Sequence, residues 1–175
     1  IVVPNGVADE APHFLDLSTP KESTDTPTIL FVGAVYRSKG VRVLVETAAL
    51  LQEKGLDFAM TIVGKVESAA FAQELTDFLQ RHELQEKVRL TGPLVGAPKW
   101  EEYAKATIFC FPSFFESESF GLVNVEAMQF RLPVVTTRWR GIPEVVTEGK
   151  DALLVPIEDP TATADALETL LRDPA

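Results

Sequence analysis

Two short runs, Ile29-Leu30-Phe31-Val32 and Ile108-Phe109-Cys110-Phe111, are apolar at every position instead of alternating with polar residues. A strand with one face in water alternates, so an uninterrupted apolar strand is one covered on both faces, the situation of a parallel sheet with helices packed on either side. The remaining pattern agrees. Strand-like runs at 28–32, 58–63, 88–90, 107–111, 133–136 and 152–155 are interleaved with helical spacing at 41–51, 68–81, around 99–105, 121–130 and 161–171. The expectation is an α/β fold: a single Rossmann-like domain with a mostly parallel sheet covered by helices on both faces. Residues 8–26 mix Pro, Ser, Thr and acidic side chains with few spaced apolar positions and read as an irregular lead-in.

Size limits this to one core, since 175 residues with 46% hydrophobic content bury one comfortably and two poorly. The net charge of -10 repels phosphate backbones and no basic patch offsets it, which excludes a general nucleic-acid role. Charges, Gly or Pro interrupt every apolar run before it reaches bilayer length, and the N-terminus lacks the layout of a signal peptide. The lone Cys110 sits among apolar neighbours as a small core residue, offering neither a disulfide framework nor a thiolate metal site. His13 and His82 lie far apart without metal-binding spacing and read as surface residues. A reducing, cytoplasmic setting is expected. The chain opens at Ile1-Val2-Val3-Pro4-Asn5-Gly6 without an initiator Met, as though cut within a strand, so a fragment is expected.

In open parallel sheets ligands bind outside the carboxyl ends of the strands, which directs attention to the loops starting at Gly33, Gly64, Thr91, Pro112 and Thr136. The segment 112–128 is the most informative. On a helix Glu126 has Leu122, Val123, Gln129 and Phe130 as same-face neighbours, a mostly apolar setting for a carboxylate. Leaving it buried and unpaired costs on the order of several kcal/mol, so it requires a cationic or hydrogen-bonding partner, or a ligand with donor hydroxyls such as a ribose diol. Glu118 lies eight residues earlier, and two helical turns separate the carboxylates by roughly 12 Å along the axis. Between them, Phe120 and Gly121 stand where backbone N–H groups at a helix N-terminus favour a phosphate. Spacing alone leaves an alternative open, in which Glu118 caps the helix and Glu126 pairs with an arginine such as Arg131.

The two glutamates and the residues between them resemble the E-x7-E signature of the retaining glycosyltransferases of family 4, enzymes of GT-B architecture with two facing Rossmann-like domains. Pro4-Asn5-Gly6-Val7, Phe31-Val32-Gly33 through Lys39-Gly40, Thr61-Ile62-Val63-Gly64, Val88-Arg89-Leu90-Thr91-Gly92, Pro112-Ser113, Leu132-Pro133-Val134-Val135 and Gly141-Ile142-Pro143-Glu144 fall in the family's order. The resemblance implies the C-terminal, nucleotide-sugar-binding half of such an enzyme. Residues 1–26 would be an interdomain linker and 27–175 the donor-binding domain, with the acceptor-binding N-terminal domain outside this chain. It implies that Glu118 is catalytic and contacts the transferred sugar. Phe120, Gly121 and Leu122 bring backbone donors to the sugar and diphosphate, Glu126 holds the ribose, and Gly33 and Lys39 meet the diphosphate. The loop at 90–94 borders the base.

Two residues depart from the family pattern. Ala34 stands where an arginine often follows the first-loop glycine, leaving Arg37 or Arg140 as its replacement or as solvated charges, and Arg131 replaces a small residue, commonly glycine. No D-x-D pair for holding a divalent cation occurs. The expectation is metal-independent transfer without a cofactor, the leaving diphosphate being stabilised by Lys39 and the helix terminus at Gly121. The expected partners are a UDP- or GDP-sugar and an acceptor sugar, lipid or glycan held mainly by the other domain, in an enzyme peripheral at the inner membrane face. The fragment alone is expected to be inactive. The alternatives are a nucleotide-sugar isomerase or epimerase of similar architecture, and a non-catalytic α/β module. The base, the donor sugar and the acceptor are not specified by these residues.

Overall fold

The two doubly apolar runs become neighbouring strands at the centre of the sheet. In the computed structural model, which describes residues 7–16 and 26–173, the strands are β1 Thr28–Val32, β2 Ala59–Val63, β3 Val88–Gly92, β4 Ile108–Phe111, β5 Val134–Thr137 and β6 Ala152–Val155. They form one six-stranded, all-parallel sheet in the order β3-β2-β1-β4-β5-β6. β1 and β4 pair at Ile29 with Ile108 and Leu30 with Phe109. Both are buried nearly throughout, because each is covered by sheet neighbours along its edges and by helices on its faces.

The helices are α1 Val41–Glu53, α2 Ala69–Arg81, α3 Ala97–Lys105, α4 Leu122–Gln129 and α5 Pro160–Arg172. α1 packs against α2 and α5, while α3 and α4 meet through Trp100, Tyr103 and Phe130. Right-handed crossovers require this division: the chain moves outward from β1 to β3, then returns past β1 to β4 and continues the other way, so α3 and α4 cover the opposite face. Local chemistry sets several helix ends. Ser68 caps α2 by accepting from the Phe71 N–H at 3.1 Å, and Asp159 caps α5 by accepting from the Ala162 N–H at 2.9 Å, ahead of Pro160 in the first turn.

α4 ends in a Schellman motif. The Arg131 N–H donates to the Met128 carbonyl and the Leu132 N–H to the Ala127 carbonyl, with Arg131 in the left-handed region at φ +57°. That conformation is the physical reason a glycine suits this position. Within the lead-in segment, Ala11 is buried, Phe14 lies 6.5 Å from Phe130, and the Glu10 N–H donates to Gln129, so residues 10–14 dock on the end of α4. The Pro4-Asn5-Gly6 turn lies outside the described residues. Cys110 is a buried free thiol in β4, as its neighbours predicted.

Candidate functional site

The strand order reverses between β1 and β4, and a crevice opens there above the carboxyl ends of the two strands. It is a cavity of about 320 Å³ lined by Gly33 and Ala34 after β1, Lys39, Phe111 at the end of β4, and residues 117–123 leading into α4. That volume lies at the lower end of the range for small-molecule sites.

The loop after β1 makes a tight turn over residues 37–39 and then starts α1 at Gly40. Gly40 has φ +78°, and a Cβ there would lie 2.1 Å from the Pro112 carbonyl oxygen. Only glycine lets the two loops approach this closely. The Phe114 N–H donates to the Ser38 carbonyl at 2.8 Å, which fastens the loops together beside Lys39.

This close approach creates an ion pair. Lys39 Nζ donates to Glu118 Oε2 at 2.6 Å, with the two side chains only 15% and 11% exposed. Ser113 Oγ donates to the same Oε2 at 2.9 Å and accepts from the Phe115 N–H. Lys39 Nζ also lies 4.4 Å from the Phe115 ring centroid. Both protein donors fall on one carboxylate oxygen, leaving Oε1 without a hydrogen bond among the described residues.

α4 begins at Gly121, which adopts φ +59° and is its N-cap. No side chain caps this terminus, so Glu118 is a cavity residue and not a helix cap. Gly121, Leu122 and Val123 line the cavity with the positive end of the helix and its unpaired amides. Beneath them, Asn124 is fully buried, and its side-chain oxygen and nitrogen have no partner among the described residues. The backbone around the site is braced from β5 and the loop after it: Thr136 and Thr137 hydroxyls donate to the Phe111 and Ser113 carbonyls, and the Trp139 indole N–H donates to the Phe115 carbonyl at 2.9 Å.

Glu126 lies on the same face of α4 as Leu122 and Val123, one turn further on, but does not itself line the cavity. Its partners are on α3, not Arg131. Lys99 Nζ lies 3.1 Å from both carboxylate oxygens and the Tyr103 hydroxyl donates to Oε2 at 2.8 Å. Burial, and then the neighbouring Glu126 charge, hold the Tyr103 phenol well above its ordinary value of 10.0.

The cavity therefore brings together Gly33, Lys39, Glu118, Phe120, Gly121 and Leu122, while Glu126 lies one helical turn beyond Leu122, outside the lining. Arg37 is not brought in. Its guanidinium donates to Glu74 on α2 at 2.5 Å and lies over Phe71, because the turn at 37–39 sends successive side chains in different directions. Arg140 rests over Trp139 and is also absent from the lining. Lys39 is the cation of this cavity among the described residues. The sequence reading missed the partnerships of Ser113, Lys99 and Tyr103. Lys99 and Tyr103 do share one helix face at i, i+4, the available signal, but that spacing does not say which carboxylate they meet.

A family profile described as Glycosyl transferases group 1 matches residues 26–173, which includes every element of this site. The chain belongs to the group 1 glycosyl transferase family. This group 1 domain is 36% identical over 151 residues to a D-inositol 3-phosphate glycosyltransferase of Paenarthrobacter aurescens, covering 85% of the chain and 36% of that protein. It superposes on a sucrose-phosphate synthase of Thermosynechococcus elongatus with a TM-score of 0.76 and 29% identity, over 96% of the chain and 40% of that one. An Anabaena protein solved in complex with UDP-glucose shares the fold at a TM-score of 0.76 and 22% identity, over 85% of the chain and 40% of that one. The group 1 domain thus spans well under half the length of these relatives.

Proposed function

We propose that the chain binds a nucleoside-diphosphate sugar, as the donor half of a retaining, metal-independent glycosyltransferase of family 4 whose acceptor is held by residues outside these 175. The observation that carries this reading is the Lys39–Glu118 pair at the mouth of an uncapped helix. A sugar nucleotide needs cationic and N–H donors for its diphosphate and carboxylate acceptors for its hydroxyls, within a few ångströms of each other. Lys39 and the amides of Phe120, Gly121 and Leu122 are the donors, joined by the Gly33 backbone. Glu118 Oε1 accepts from the transferred sugar, and Glu126 accepts from the ribose diol. The half-buried Leu90 and Leu94 border the base. The Anabaena complex with UDP-glucose and the relatives named glycosyltransferases support this class of ligand and reaction.

In transfer, the bond from the anomeric carbon to the diphosphate oxygen breaks with its electrons going to the leaving group. Lys39 and the α4 terminus stabilise the charge that develops there, in the role of an oxyanion hole. The acceptor oxygen bonds to the anomeric carbon on the face the diphosphate leaves, and its proton passes to the departing phosphate. The absence of a D-x-D pair in the sequence supports charge stabilisation by protein groups.

Calorimetry with UDP, GDP and ADP tests the binding step. One of them binds the wild-type chain, and replacing Glu118 and Glu126 together with Gln weakens the corresponding sugar nucleotide by about tenfold or more, the scale of one lost charged hydrogen bond. Unchanged affinity in the double variant rejects the site. The anomeric configuration of the product made by the whole enzyme, read by NMR, tests retention.

A further inference from the structure

The Glu126 carboxylate, one helical turn beyond the cavity-lining Leu122, is held from α3 by a residue for which the donor-site reading has no use. Tyr103 is fully buried on α3, with its ring 5.4 Å from Phe130, 5.6 Å from Phe109 and 5.7 Å from Trp100. With three aromatic rings packed against it in the core, its ring is held in place by close packing. Its hydroxyl meets Glu126 Oε2 at 2.8 Å, and Lys99, seated over the Trp100 ring at 3.5 Å, lies 3.1 Å from both oxygens. Oε2 thus takes two protein donors and Oε1 one. A carboxylate oxygen accepts about two hydrogen bonds, so the remaining capacity lies on Oε1.

We propose that Tyr103 is a positioning residue: by fixing Oε2 of Glu126 from the core side, it sets the rotation of the carboxylate and turns Oε1 toward the ribose hydroxyls of the donor. The inference rests on the reading of Glu126 as the ribose acceptor, and it adds the device that makes that acceptor selective. Lys99 alone cannot do this. It is a flexible ammonium spaced evenly between the two oxygens, which supplies charge without choosing a rotation, whereas a hydroxyl on a locked ring fixes one oxygen at one point in space. The phenol also stays a donor at any working pH, since burial and the adjacent carboxylate both oppose its ionisation. A freely turning carboxylate would still attract the nucleotide's polar edge, yet would distinguish ribose from deoxyribose poorly, because discrimination requires an acceptor already in place for the missing hydroxyl.

The test compares affinities of the 175-residue chain for whichever of UDP, GDP and ADP binds most tightly and for its 2′-deoxy and 3′-deoxy counterparts. The wild type prefers the ribonucleotide over at least one deoxy form by about tenfold, the scale of one charged hydrogen bond. Tyr103→Phe, which removes one oxygen and keeps the ring, loses most of that preference, while its affinity for inorganic pyrophosphate at the Lys39 end stays at the wild-type value. A general loosening of the fold would weaken both. Preference retained in Tyr103→Phe but lost in Glu126→Gln overturns the inference and leaves the ribose reading standing. Preference retained in Glu126→Gln overturns both.

A second measurement does not depend on the variant folding. Tyr36 and Tyr103 are the two tyrosines of the chain, so 3-fluorotyrosine labelling gives two 19F lines, assigned with Tyr36→Phe. The Tyr103 line shifts on adding the ribonucleotide and shifts less with the discriminated deoxy form. Equal shifts with all the nucleotides overturn the proposal.

Discussion

Lys39 and Glu118, 79 residues apart in sequence, meet at 2.6 Å across the point where the strand order reverses. The pair is nearly enclosed, so each member is held ready by the other, and a ligand that takes one changes the circumstances of its partner.

This coupling gives the two single variants opposite signatures. Lys39→Met removes the cation of the cavity and weakens nucleoside diphosphate binding by about tenfold to a hundredfold. Glu118→Gln releases Lys39 from its carboxylate, so the bare diphosphate binds as well as to wild type or better, while the added affinity contributed by the sugar is lost. Titrating each variant with the nucleotide and with its sugar conjugate checks this. Equal losses in both variants would show that the two residues do not divide the ligand between them.

The approach of the two loops rests on Gly40. Gly40→Ala sets a Cβ against the Pro112 carbonyl oxygen at 2.1 Å and strains a left-handed backbone, whereas Gly55→Ala at φ +69° meets nothing within 4 Å. Gly55→Ala therefore costs about 1–2 kcal/mol, and Gly40→Ala costs at least about 2 kcal/mol more. Urea unfolding of the two variants measures the difference. Equal destabilisation would mean that the loops do not need their close contact.

Arg131 occupies the left-handed position of the α4 terminus at φ +57°. Replacing it with glycine relieves that strain and raises stability by roughly 1 kcal/mol, seen as an upward shift in Tm. A lower Tm would mean that the arginine's own interactions outweigh the conformational cost.

Stability falls in alkali in two stages. Burial keeps the Cys110 thiol protonated above its ordinary value of 9.0, and burial together with Glu126 does the same for the Tyr103 phenol above 10.0. The folded chain therefore retains protons that the unfolded chain releases, so this contribution is complete below pH 9 and declines as pH rises. Each group contributes a slope on the order of 1 kcal/mol per pH unit above its ordinary value. Cys110→Ala moves the onset from near pH 9 to near pH 10, as measured by urea midpoints across the pH range. An unchanged onset would assign the loss to other groups.

The strand and helix order was readable because the signals are local. Apolar runs and helical spacing act within a few residues. Boundaries moved by a residue or two, as at 133–136, where Pro133 cannot donate to a ladder and the strand begins at Val134. The site was half readable. Glu118, Phe120, Gly121 and Leu122 lie in one segment, and Gly33 with Lys39 follows a strand end, so sequence placed them at the right edge of the sheet. Arg37, expected as a replacement for the arginine missing at Ala34, pairs with Glu74 because the turn at 37–39 carries its side chain away from the cavity.

Sequence by itself determined that a doubly covered parallel sheet would form, and which loops would stand at its carboxyl edge, since both follow from short-range patterning. Tertiary structure decided the pairings: Lys39 with Glu118, and Glu126 with Lys99 and Tyr103 rather than Arg131. Charges find partners by distance in space, and the handedness of the crossovers, invisible in any one segment, is what carries α3 across to α4.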